Sequence, residues 1–442
     1  MNWRKVLQLA LIHVGVSITV VPVTSTLNRI MIADMGLSAT LVAALIALPY
    51  VLSPVQVAMG DWTDRRLVWG RHRTPWIVIG GLMASFGSYL TAHAAYLMNA
   101  HFALGLLAAI GAFAIWGVGV NVASVSYLSL VSDLTQGLDR WRNRAISVMW
   151  TLMILSTIAI SILLSVILAP FPDILAPAGE AAIYNAFGAV WLMASALVLF
   201  GAARLEAPAD PDRKVHNKAN DPLVAYRLLA NNPSARRFFL YLLLILVSIH
   251  AQDVLLEPFG AEALGMTASV TSRLTAIWGA GVFITLTGGL PLMRRMGKKR
   301  SANLGALVAA AAFAFIIITG LINAPSLFMG AVFLLGLGGG LMTVSNLSFM
   351  LDMTVPEAAG LYIGAWGVAN FSGQAIGAIA SGLVRDVAFQ FTGNALIGYA
   401  TVFGLEIVGL LAAVWLFRHI SVEEFRRDAE VRIQDVLALT VE

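Results

Sequence analysis

The chain has no cysteine and very little charge. The absence of cysteine from all 442 residues excludes disulfides, thiolate metal sites and cysteine nucleophiles. Charged residues make up only 12% against 59% hydrophobic, and the mean hydropathy is +0.82. A water-soluble fold of this length could not keep so much apolar surface covered, so the composition is that of a multi-span membrane protein surrounded by lipid. The 28 basic and 24 acidic residues leave a net charge of +4, and the basic ones sit in loops, so no nucleic-acid partner is expected. There is no nucleotide-binding loop, metal-ligand spacing or nucleophile beside a base, and no enzyme activity or metal is expected. The run Gly336 to Gly340 lacks the Lys-Ser/Thr of a phosphate loop and reads as close helix packing.

Apolar runs of membrane-spanning length recur at 6–27, 38–59, 75–97, 102–131, 145–169, 181–202, 237–258, 267–292, 302–322, 326–350, 358–384 and 395–417. The first follows M-N-W-R-K without a small-residue cleavage site and reads as an uncleaved span. All Lys and Arg except Arg29, Arg273 and Arg385 fall on the even-numbered-loop side of these spans. The positive-inside rule then puts both termini in the cytoplasm.

The proline-punctuated stretch 204–236 reads as a cytoplasmic linker between a six-helix half at 1–203 and a second at 237–418, with a tail at 419–442. A repeat supports the division. Span four ends S-Y-L-S-L-V-S-D (Ser126 to Asp133) and span ten ends S-N-L-S-F-M-L-D (Ser345 to Asp352). Two like halves of six spans are the parallel repeat of a major-facilitator-type fold, an all-α membrane architecture with its cavity between the halves. In the tail, Ser421 and Glu424 form a capping box ahead of Val422, Phe425, Ala429, Ile433 and Val436 at helical spacing. That pattern predicts a short amphipathic helix, either solvated or docked on another subunit.

The most informative stretch is Gln252 to Met266, Q-D-V-L-L-E-P-F-G-A-E-A-L-G-M. Asp253 and Glu257 lie four residues apart on one helix face inside span seven. Ionisable groups at that depth are functional by default and need a partner. Arg29, at the same end of span one, is the expected partner, whether the cluster serves transport or only joins two helices. His13 in span one and His250 in span seven occupy equivalent helices of the two halves. Either could supply a neutral imidazole to a pigment's magnesium, although a lone helical His is more often satisfied by a neighbouring hydroxyl or carbonyl. Gln56, Asn121, Asn370 and Gln374 read as packing contacts. Glu406, deep in span twelve, is a candidate protein contact.

Loop two–three carries Gly60, Asp64, Arg65, Gly70, Arg71 and Arg73, the Gly-x3-Asp-Arg and Gly-basic pattern that marks the major facilitator superfamily. The glycine is expected to let helices approach and the charges to pair with helix ends, so the loop reads as a conformational latch. The lengthened loop ending in Pro75 and Trp76 resembles a branch that includes the glycoside-pentoside-hexuronide symporters, plant sucrose carriers and the bacteriochlorophyll delivery family. Three further stretches narrow this. T-L-N-R-I-M-I (Thr26 to Ile32), Q-D-V-L-L-E-P-F-G (Gln252 to Gly260) with R-L-T-A-I-W-G-A-G (Arg273 to Gly281), and G-L-Y-I-G-A-W-G (Gly360 to Gly367) resemble the PucC/LhaA-like bacteriochlorophyll delivery family.

The resemblance implies an assembly factor for light-harvesting or reaction-centre complexes in the bacterial inner (photosynthetic) membrane. Its partners would be antenna or reaction-centre subunits and (bacterio)chlorophyll. The other reading is a cation-coupled symporter, with Asp253, Glu257 and Arg29 coupling a proton or sodium ion to a sugar-like solute. The spans carry few hydroxyl-bonding side chains midway along their length, which favours a hydrophobic ligand or a scaffolding role.

Overall fold

The computed structural model describes residues 1–208, 233–354 and 359–425. Among these residues fourteen α-helices run in chain order: α1 (Trp3–Ser17), α2 (Ala39–Val51), α3 (Pro54–Arg65), α4 (Thr74–Ala100), α5 (Phe102–Leu134), α6 (Asp139–Leu168), α7 (Pro177–Ala202), α8 (Pro233–His250), α9 (Gln252–Glu262), α10 (Ala268–Met296), α11 (Lys298–Leu321), α12 (Pro325–Asp352), α13 (Ala359–Thr392) and α14 (Ala395–Phe417). No named strand occurs among the described residues. Among the described residues, eleven segments are long and apolar enough to cross a bilayer, and each matches an expected span. The 34-residue α13 occupies the place of span eleven. The chain is a multi-pass integral membrane protein.

Three spans depart from plain helix. Span one, Trp3–Asp34, widens after α1 into π-helical turns at Pro22–Leu27 and Ile30–Asp34. Such turns cluster at functional sites. Span two bends at Leu52 and Ser53, between α2 and α3. There Pro49 O loses its usual helical donor, because Ser53 N turns to Tyr50 O at 3.1 Å. Asn121 Nδ2 donates to Pro49 O instead, at 2.8 Å. Asn121 is held in turn by Gln56 Nε2, at 2.6 Å. Span seven breaks at Ala251, between α8 and α9.

Helices α1 to α7 pack mainly on one another, as do α8 to α14, and the main joins between the groups are α6 on α10 and α2 on α13. Lipid supplies no hydrophobic drive between helices, so small residues at the crossings let backbones approach. The crossing of α11 on α12 is the clearest case. A Cβ on Gly305 would lie 2.6 Å from Met342 N, and one on Gly338 would lie 2.6 Å from Ala309 N. Gly336, Gly338 and Gly340 of the 336–340 run therefore serve packing, as their sequence context predicts, whereas a Cβ on Gly339 would meet nothing within 4 Å.

Of the linker, residues 209–232 lie outside the described residues, as do 426–442 of the tail. At the start of the tail, Ser421 Oγ accepts from Glu424 N at 3.4 Å, the first half of the expected capping box.

Candidate functional site

The break in span seven places its acids against a cavity. Pro258 has no N–H, so the carbonyl four residues earlier, that of Val254, has no helical donor. Asn28 Nδ2 from span one supplies one at 2.6 Å. One turn back, His250 Nδ1 lies 2.8 Å from Asp253 Oδ2, and Gln252 Nε2 donates to Asp253 Oδ1 at 2.5 Å. Glu257 accepts from Thr275 Oγ1 of α10 at 2.9 Å and is 5% exposed.

His250, Asp253 and Glu257 all line a cavity of about 270 Å³ between the two helix groups, walled by side chains of spans one, two, five, seven, eight and eleven. With Asp253 ionised, Nδ1 of a neutral His250 carries the donated proton and Nε2 keeps a free lone pair. This carboxylate–histidine arrangement also orients metal-binding imidazoles.

Arg29 does not join the acids of span seven. It pairs with Asp34, five residues on in the same span, and Nη2 donates to Met266 O at 3.2 Å. Asp34 is the nearer acid because the π-helical turns, which close every five residues, bring it over Arg29 at the end of the span. The expected cluster of Arg29 with Asp253 and Glu257 is thereby corrected to two separate groups.

Around Arg29 lies a network that the sequence reading misses. Arg385 of α13 pairs with Glu262, and Tyr399 OH donates to the same carboxylate at 2.8 Å. Arg385 Nη1 also reaches Asp386 Oδ1 at 3.1 Å. Asp386 caps α2 from across the two groups, accepting from Ala39 N at 3.1 Å, Thr40 N at 2.8 Å and Thr40 Oγ1 at 2.7 Å. Thr26 and Ser272 hydroxyls meet at 3.0 Å, and Ser161 donates to Ser272 O. These bonds tie the helix groups together at one end of the cavity. The gathering of Arg29, Asp34, Glu262, Arg385 and Asp386 at the same ends of their spans is the available signal.

In loop two–three, Arg73 Nε reaches Asp133 at 3.3 Å and Nη1 donates to Thr63 Oγ1 at 2.5 Å. Glu206 caps the start of α4, accepting from His72 N and Arg73 N at 3.1 Å and from Thr74 N at 2.6 Å. The second group repeats the pairing, since Lys298 Nζ donates to Asp352 Oδ2 at 2.8 Å. The repeated Ser-Leu-Ser-Asp motif thus supplies, in each copy, the acid that meets a cation at the start of the preceding span.

Gly70 takes a φ of +68° and follows Trp69 at +49°. The two form the tip of a tight turn closed by Val68 and Arg71 through reciprocal backbone bonds of 3.1 and 3.0 Å, which needs left-handed residues at both central positions. Among the described residues, a Cβ on Gly60 would meet only Val125 Cγ2 at 3.7 Å, ordinary contact, and the side chains at the start of α13, which the expected approach concerns, lie outside the described residues. The side chains of Asp64 and Arg65 lie outside the described residues.

His13 is not on the cavity. Its Nδ1 meets Tyr127 OH at 2.7 Å, its Nε2 is buried without a partner among the described residues, and the Trp150 ring lies 5.8 Å away. Glu406 is 3% exposed, and it faces the span-seven break against the backbone of Gln252 and near Asp253. It is therefore an interior group, and the expected role as a protein contact is corrected.

Two solved structures share the architecture. A mutant of the nucleoside transporter NupG superposes with a TM-score of 0.71 at 14% identity, covering 94% of this chain and 99% of that one. A bacterial homolog of the human lysosomal transporter Spinster, inward-facing and unoccupied, gives 0.70 at 15% identity, covering 97% and 99%. At such identities they establish the fold alone, that of the major facilitator superfamily.

Sequence relatives go further. Protein PucC of Rhodobacter capsulatus is 27% identical over 433 residues, covering 93% of this chain and 90% of that protein. The bacteriochlorophyll synthase 44.5 kDa chain of Rhodobacter capsulatus is 28% identical over 429 residues, covering 94% and 95%. The PUCC protein family model matches residues 26–425, nearly the whole of the described chain, and the protein belongs to the PucC family.

Proposed function

We propose that the protein is an assembly factor for photosynthetic light-harvesting or reaction-centre complexes that binds or delivers (bacterio)chlorophyll, acting as a carrier or scaffold rather than an enzyme. The family match over residues 26–425 carries this reading, and the name of one relative associates that relative with bacteriochlorophyll. His250 supports it chemically, since a neutral imidazole oriented by Asp253 is a suitable axial donor to a pigment's magnesium. The space does not match as well. At about 270 Å³ the cavity falls below the roughly 300–1,000 Å³ of pockets that enclose drug-sized ligands, and a tetrapyrrole is larger than most of these. The reading therefore puts pigment handling at a surface shared with an antenna subunit, and no delivery step runs through the cavity.

The small acidic cavity favours a second reading, a cation-coupled symporter of a sugar-like solute. An absorption spectrum of protein purified gently from its native membrane, with copurifying subunits identified, separates the two. Red-region pigment bands at fixed ratio to protein, together with antenna or reaction-centre subunits, are expected. Loss of those bands in His250→Ala but not His13→Ala would put the pigment at the cavity mouth. A colourless, partner-free protein that accumulates labelled sugar in vesicles would overturn the assembly reading.

A further inference from the structure

The cavity has a charge problem that the assembly reading does not use. Two carboxylates face it, yet no Lys or Arg lines it among the described residues, and Arg29 is committed to Asp34. Asp253 is engaged by His250 and Gln252, whereas Glu257 accepts the neutral hydroxyl of Thr275. A carboxylate this far from water needs a proton or a cation.

The remaining wall indicates what kind of cation. The hydroxyl of Ser25, a residue only 2% exposed, lines the cavity beside the Glu257 carboxylate, and the buried indole N–H of Trp278 lines it without a hydrogen-bond partner among the described residues. Buried polar groups are normally paired, and unpaired ones aimed into a cavity are matched by what fills it. Trp278 and Tyr50 add two aromatic surfaces, the side chains that attract ammonium groups through their π-faces. Most of the rest is Val, Ile, Leu, Met and Ala. A volume near 270 Å³ equals roughly nine waters at ~30 Å³ each, which sets the ligand at about that many heavy atoms.

We propose that this cavity binds a small organic monocation, an ammonium group on a compact apolar body, with Glu257 as its counter-ion and the Trp278 and Tyr50 rings packing on the apolar part. A tetrapyrrole would not be enclosed here, so the two activities share at most His250 on the cavity wall, and Glu257, Trp278 and Tyr50 take no part in the pigment reading.

The test is calorimetric titration of the purified full-length protein with 2-phenylethylammonium and its neutral counterpart 2-phenylethanol, which have equal heavy-atom counts. The cation is expected to bind at least about tenfold more tightly, a difference of roughly 1.4 kcal/mol. Glu257→Gln should abolish that preference, and Trp278→Leu should weaken both probes. Equal binding of the two probes by the unmutated protein, no binding of either, or displacement of the ammonium by millimolar sodium would each overturn the proposal. The comparison on unmutated protein holds even if Glu257→Gln fails to fold. Pigment bands and copurifying subunits read on the same preparations keep failure here separate from failure of the assembly reading.

Discussion

Asn28 donates its side-chain amide to the carbonyl of Val254 across the interface between span one and span seven. The bond exists because Pro258 withdraws the donor that a helix would otherwise provide. Replacing Asn28 by Ala should therefore leave a buried carbonyl unpaired and cost about 1–2 kcal/mol. In a Pro258→Ala background the helix can restore its own N–H, and the same Asn28→Ala change should cost clearly less. A double-mutant cycle followed by thermal unfolding in detergent measures the coupling. Additive costs would mean that the two residues act separately.

The pairs Arg73–Asp133 and Lys298–Asp352 are one device built twice, but their environments differ. Both aspartates are over one third exposed on their side chains, as is Lys298, whereas Arg73 is 10% exposed and also donates to Thr63. Exposed pairs contribute about 0–1 kcal/mol, so Asp133→Asn, Asp352→Asn and Lys298→Ala should each move unfolding little. Arg73→Ala should cost more, about 2–3 kcal/mol, because it strips a buried charge site of several bonds. Comparable losses for all four variants would show that the latch reading underrates the second copy.

Much of the architecture is legible in the sequence because membrane helices announce themselves by length and apolarity, and loop charges stand out against so little charge elsewhere. The repeat at Ser126 and Ser345 is legible too, and the structure gives its aspartates a common task. Pairing is harder. The end of the span on which Arg29 lies points to Asp253 and Glu257, whereas the π-helical turns bring Asp34 to it, and a 3.6-residue period cannot reveal such turns. The partner of Asn28 is a backbone carbonyl, whose only trace in sequence is a proline four residues later. His250 and Asp253 stand three residues apart in plain view, a spacing that lets side chains meet on a helix.

Asp386 should act as the clasp at the Arg385 end of the cavity. It accepts three bonds from the start of α2, and bonds to an ionised acceptor contribute about 1.5–3 kcal/mol each. Asp386→Ala should loosen α13 from α2 and expose the interface behind it. The absence of native cysteine makes this directly readable, because Ser272→Cys would be the one thiol in the chain. Ser272 is 1% exposed, so its cysteine should react slowly with a water-soluble maleimide, and several-fold faster once Asp386→Ala is added. Unchanged reactivity would mean that contacts other than those of Asp386, such as Ser161 Oγ to the carbonyl of residue 272, hold this end shut.

Orientation is the remaining expectation that a single labelling experiment decides. The distribution of Lys and Arg predicts that the turn at Trp69 and Gly70 lies in the cytoplasm and the loop between α4 and α5 outside it. Leu67 is 48% exposed, and His101 is exposed. In intact cells with a permeable outer layer, His101→Cys should take up an impermeant maleimide within minutes. Leu67→Cys should stay unlabelled until the inner membrane is broken. The reverse pattern would invert the topology, put the Arg29, Arg385 and Asp386 network on the cytoplasmic side, and require any ligand of the Glu257 cavity to enter from the opposite face.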